Sequence, residues 1–182
     1  MLIIPSQPMA EQRPMSYILG ETNAEVEIKT AKENRNAALS LVKQARYSID
    51  IFTQDMDTPI YNNVGVEHSI FELARKHPNT RIRILVQDSR KAVQDSHCLI
   101  RLGQNLTSSV FIHTPSREFK NEKSSFMVVD KLGLLYRVTG NNQNYKASVN
   151  FMSPMRAGKL SDFFNEAWEH STPDIQTRRI YM

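Results

Sequence analysis

Lys123, Ser125 and Asp130 stand at positions i, i+2 and i+7 of the run Lys-Ser-Ser-Phe-Met-Val-Val-Asp, a spacing that invites phosphate chemistry. A lysine ammonium can neutralise a phosphoryl oxygen, a serine hydroxyl can hydrogen-bond one, and a carboxylate can orient a neighbouring group. The run contains no imidazole, and a protonated ammonium near neutral pH is a poor nucleophile. The alternative for Asp130 is a carboxylate that ends a strand and serves the following turn.

Further candidates lie elsewhere. Arg90, Gln94, His97 and Arg101 fall at i, i+4, i+7 and i+11, which on one continuous helix gives a polar, partly basic face beginning soon after Asp88. Such a face can bind an anion or supply a general acid; the bland reading is a solvated face. His113 is the histidine nearest in sequence to the Lys123 run, so an unconventional catalyst would recruit it, or His97, together with Asp130. The loop Gly140-Asn141-Asn142-Gln143-Asn144 offers amides that can hold a phosphate oxygen, or is a plain turn. His68, His77 and His170 show no metal-ligand spacing, and Cys98 is the single cysteine. No metal and no cofactor are therefore expected. P-loop, G-x-S-x-G and G-x-G-x-x-G patterns do not occur.

The elements that must position these residues follow from periodicity. Lys123 to Asp130 reads as a buried strand that turns at Lys131-Leu132-Gly133 and returns through Leu134-Leu135-Tyr136-Arg137-Val138. Earlier strands are expected at 26–30, 47–53, 81–87 and 109–113, and a later one at 145–151. Helices are expected at 33–46, around 66–76, through 90–106 with Ala92, Val93, Leu99, Ile100 and Leu106 buried, and after Ser153-Pro154. Residues 54–63, polar and carrying Pro59, read as a loop. The tail 175–182 is a further edge-strand expectation.

Three β-then-α units imply parallel strands with right-handed crossovers, and the later closely spaced strands imply an antiparallel portion. The expected fold is α/β, a mixed β-sheet with helices on both faces. In such sheets ligands sit beyond the carboxyl ends of parallel strands, here 54–57, 88–89 and 114–115. Residues 1–16, with three prolines, read as a flexible leader, and 17–182 as a single domain.

At 182 residues the chain can bury a substantial core. One cysteine excludes an internal disulfide framework, and no apolar run is long enough to span a bilayer, so a cytoplasmic location is expected. The net charge of +4 is uneven: residues 1–100 balance 12 bases with 12 acids, whereas residues 117–159 hold eight bases against three acids. That excess surrounds the Lys123 run and suits a phosphate-containing ligand, with nucleic acid a weaker branch.

Ile82-Arg83-Ile84-Leu85-Val86-Gln87-Asp88-Ser89, Ser96-His97-Cys98-Leu99-Ile100, Phe164-x-x-x-Trp168-Glu169-x-Ser171 and Arg178-Arg179 together resemble an uncharacterised bacterial domain with a phospholipase D-like fold. Active phospholipase D-like enzymes carry H-x-K-x-x-x-x-D on such a strand. Counting back from Asp130 places Ser125 at the lysine position and Lys123 at the histidine position, a degenerate motif. Active relatives also place a G-S-x-N loop near 140–144. The resemblance implies a domain often found C-terminal to GNAT-type acetyltransferases, and two half-sites would require a homodimer. The expected role is a non-catalytic binding or assembly module with an anion-accepting groove formed from Asp88, His97, Arg101, Lys123, Ser125, Asp130, Arg137 and Asn144. The alternatives are a diverged phosphodiesterase or nuclease using His97 or His113, and a docking domain for an acetyltransferase partner.

Overall fold

A computed structural model describes residues 16–141 and 143–178. The expected leader therefore lies, but for Ser16, outside the described residues. In chain order the elements are β1 (Val26–Ile28), α1 (Ala31–Gln44), β2 (Ser48–Thr53), α2 (Thr58–Tyr61), α3 (Val64–Lys76), β3 (Arg81–Val86), α4 (Arg90–Gln94), α5 (Cys98–Asn105), β4 (Val110–Thr114), β5 (Ser125–Val129), β6 (Gly133–Arg137), β7 (Ala147–Asn150), α6 (Pro154–Glu169) and β8 (Thr172–Pro173).

The strands form one mixed sheet in the order β1-β7-β6-β5-β2-β3-β4-β8. β2, β3 and β4 are parallel, and β5 joins β2 antiparallel, so the change of direction falls at the centre of the sheet. The fold is the α/β mixed sheet expected from the sequence, with one correction. The first β-then-α unit contributes no parallel neighbour, because β1 pairs antiparallel with β7 at the far edge.

Strand alternation sends successive side chains to opposite faces. Ile49, Ile51, Met127, Val129 and Leu135 pack against Leu41, Val42, Val66, Ile70 and Leu99 from α1, α3 and α5. Phe52, Leu85, Phe126, Val128 and Leu134 pack on the other face against Ala157, Phe164 and Ala167 of α6. Asp50 breaks the apolar run of β2; Arg83 satisfies it through two hydrogen bonds of 2.8 and 2.9 Å and also bonds Asn165.

α1 begins two residues earlier than its apolar stripe suggests, because Thr30 and Glu33 form a reciprocal capping box. Thr30→Ala is expected to cost about 1 kcal/mol, measured as a lower urea midpoint at unchanged slope.

The expected helix through 90–106 is two short helices. Ser96 takes φ +51° and His97 caps α5 by accepting from the Leu99 N–H, so the shared polar face of Arg90, Gln94, His97 and Arg101 does not exist. Val93, expected in the core, is exposed. Residues 54–63, read as a loop, contain α2. Pro154 occupies the first turn of α6 as expected, but Ser153 makes no side-chain cap. The C-terminal edge strand is Thr172–Pro173 rather than a tail segment beginning at Ile175, which is exposed. Residues 179–182 of that expectation lie outside the described residues. Among the described residues no helix is long and apolar enough to cross a membrane.

Candidate functional site

The antiparallel register of β5 with β2 sets the start of β5 beside the end of β2, and the β5–β6 hairpin sets Arg137 opposite Ser125. Thr53, Ser125 and Arg137 thus meet at the carboxyl end of the central parallel strand. Asp57 joins them through a tight turn in which Met56 and Asp57 take φ of +70° and +41°. Two consecutive non-glycine residues in this region are strained, and the surrounding bonds hold them there. Thr53 Oγ1 donates to Asp57 at 2.9 Å and accepts from the Met56 N–H at 3.1 Å. Arg137 Nη1 donates to Asp57 Oδ1 in an ion pair whose side chains are 2% and 1% exposed.

The rest of the Arg137 guanidinium organises the following loop. Nη2 donates to the carbonyls of Asn141 and Asn144 at 2.8 and 3.1 Å, and the group lies 5.2 Å from the Tyr145 ring centroid. Nε is buried without a hydrogen-bond partner. Burial pushes the Asp57 carboxyl above the usual carboxylate range, against the opposing pull of Arg137.

Ser125 lies beneath Gly140. A Cβ on Gly140 would stand 2.0 Å from Ser125 Oγ, so only glycine fits, and the hydroxyl is buried with no hydrogen-bond partner. The cover is fastened by the Lys123 carbonyl, which accepts from the Gly140 N–H at 2.7 Å and from Gln54 Nε2 at 2.9 Å, while Lys123 itself is exposed. Above it is a shallow depression of about 480 Å³ lined by Gln54, Asp55, Gln87, Asp88, Lys120, Asn121, Gly140 and Asn141. Asp88 is held at a pKa of about 2 by its hydrogen bonds and charge contact with Arg90.

The structure gathers Lys123, Ser125, Arg137 and Asn144 here, with Asp88 on the rim. Asn144 serves through its carbonyl, and its side-chain oxygen accepts from the Lys146 N–H. Asp130 lies at the opposite end of β5, where its carboxylate accepts three backbone hydrogen bonds of 2.8 Å from Arg46, Tyr47 and Ser48. It ends the strand, but it ties down the segment leading into β2 rather than the turn that follows it. Arg101 is engaged by Glu67 and by the Ser96 carbonyl.

His97 is fully buried beside the Met56 backbone, and burial lowers its pKa to about 4. His113 lies on the α6 face of the sheet, stacked 4.0 Å from Trp168. Because Ser171 Oγ donates to the Trp168 carbonyl, it accepts from His113, which therefore carries its proton on Nδ1. Among the described residues no group of three or more His, Cys, Asp or Glu side chains could hold a metal ion.

Thr53, Asp57 and Gly140 carry this arrangement and were not singled out individually from sequence. The rule about strand carboxyl ends pointed to 54–57 but had no means of choosing Asp57.

The model of a family described as "Domain of unknown function (DUF7931)" matches residues 30–180. No curated protein matches the chain. Among solved structures it is similar to Nuc, a phospholipase D family member from Salmonella typhimurium, with a TM-score of 0.58 at 11% identity, over 83% of this chain and 99% of that one. It is similar to NucT from Helicobacter pylori, with a TM-score of 0.57 at 10% identity over the same shares. A third similar structure, TrmBL2, described as an archaeal chromatin protein with a novel mode of DNA binding, gives a TM-score of 0.60 at 12% identity over 85% of this chain and 55% of that one. At these identities the likeness concerns the fold, which is phospholipase D-like.

Proposed function

The chain belongs to the family described as "Domain of unknown function (DUF7931)", and from its fold and site we propose that it is a non-catalytic phospholipase D-like module with an anion-accepting groove over the Gly140 loop. The observation that carries this reading is Ser125 sealed under Gly140, next to a guanidinium already neutralised by Asp57. Covalent phosphoryl transfer needs an unhindered nucleophile with a base beside it. His97 is buried and His113 is engaged by Ser171 and Trp168 on the other face of the sheet. Exposed Lys120 and Lys123 supply positive charge near the depression, with Asp88 neutralised by Arg90 and Asp55 opposing. The ligand class is a small phosphate-bearing anion.

Incubation with a model phosphodiester should give no turnover above that of Lys123→Ala or His97→Asn. Turnover by the wild type that disappears in His97→Asn, in a variant that circular dichroism shows to be folded, would replace this reading with a diverged phosphodiesterase. Inorganic phosphate should raise the melting temperature with concentration, and Lys120→Ala with Lys123→Ala should abolish the rise. The module reading extends to assembly, as a homodimer or against an acetyltransferase. Light scattering that returns a monomer mass, and purification without a partner, would remove that extension.

A further inference from the structure

α6 packs over β2, β5 and β6 and reaches β3 at Leu85 and at Arg83, which bonds Asn165 and lies against Phe164 and Trp168, but leaves the Arg81 end of β3 and the adjoining face of β4 open beside its C-terminal end. The open face is a cleft of about 590 Å³. Arg81 and Arg83 come to it from β3, and Phe111 and His113 from β4, with Arg83 registered beside Phe111. Two guanidiniums on one strand thus lie beside two rings on the next. Phe164, Trp168 and His113 form a column of nearly parallel rings, 5.8 and 4.0 Å apart and each tilted 16° from the next. The column terminates at His113, which lines the cleft. Among the described residues no carboxylate lines it; Asp50 is bonded to Arg83. Arg81 is exposed and has no ion pair among the described residues. Thr80 Oγ1, on a residue 2% exposed that also lines the cleft, has no hydrogen-bond partner.

We propose that this open sheet face binds single-stranded nucleic acid, with bases stacked on Phe111 and extending the His113–Trp168 column while the backbone phosphates face Arg81. Unpaired bases present their π-faces to rings, and a guanidinium adds both charge and cation–π attraction. A duplex keeps those faces stacked internally, so the cleft discriminates against it. This site is on the opposite face of the sheet from Ser125 and does not depend on the groove proposed there.

Trp168 is the only tryptophan in the chain, so its fluorescence reports directly on the cleft. Titration of the full chain with a short oligothymidylate should quench that emission saturably, and the apparent affinity should fall steeply with salt. Phe111→Ala and Arg81→Ala should each weaken binding about tenfold or more at unchanged melting temperature, whereas Lys120→Ala should leave it intact. Arg81→Glu serves as the second variant if Phe111→Ala fails to fold. Absence of binding would overturn the proposal. So would equal affinity for duplex DNA or inorganic polyphosphate, or loss of binding in Lys120→Ala but not in the Arg81 variants. Failure of the Lys120-dependent phosphate effect alone would sink only the Ser125-side groove.

Discussion

Arg137→Ala is expected to destabilise the fold by about 3–5 kcal/mol, the cost of leaving a buried charge without its partner. Asp57 would keep only Thr53 as a side-chain partner, and the Asn141 and Asn144 carbonyls would lose their donor. The Gly140 cover over Ser125 would loosen with them. Chemical unfolding followed by circular dichroism measures the loss. Because the desolvation of both charges is itself costly, replacing the pair together, Arg137→Met with Asp57→Leu, should recover most of the stability. Equal losses in the single and double variants would mean that the ion pair is not what holds this turn. The Asp50–Arg83 pair should be more forgiving, since the Arg83 side chain retains 18% exposure and rests against two aromatic rings.

The second large effect is a pH dependence centred on His97. Its folded pKa, about 4, is below the ordinary 6.5 because burial disfavours the imidazolium. Between these values the unfolded chain binds more protons than the folded one, so stability increases with pH across the window. It is fully present above pH 6.5 and is lost as the pH falls toward 4, by about 3 kcal/mol for a depression of this size. Urea unfolding at pH 7, 5 and 4 should show this slope. His97→Asn keeps a side-chain acceptor for the start of α5 while removing the titration, so its profile should be flatter over the same range, from a lower starting stability. An unchanged slope in that variant would place the titrating group elsewhere.

The sheet was largely legible because its central strands are short, apolar and bounded by turn residues. Arg81–Val86 and Ser125–Val129 are read from sequence within two residues of their ends. The centre of the site was not legible, since its chemistry is pairwise and long-range. Nothing in the polar run 54–63 distinguishes Asp57 from Asp55, and nothing local indicates that Arg137, 80 residues later, will be buried against it. Sequence offers Arg137 as an anion ligand of the groove, whereas its guanidinium is spent on Asp57 and on the following loop. His97 misled for a different reason: helical spacing was extended through Asp95–His97, where a left-handed Ser96 ends one helix and the histidine caps the next. The arginines of β3 and the rings of β4 were visible as residues. Their openness depends on where α6 comes to rest, and local pattern does not encode that.

The pairing of β2 with both β3 and β5 has a consequence for biosynthesis. As the polypeptide leaves the ribosome, Ile49–Phe52 can find β3 early, but their other edge has no partner until residues 126–129 have been made. Until then the nascent chain carries a bare apolar strand edge, the kind of template that recruits foreign strands. That exposure ends when the hairpin arrives and the Asp130 carboxylate clasps the Arg46–Ser48 backbone.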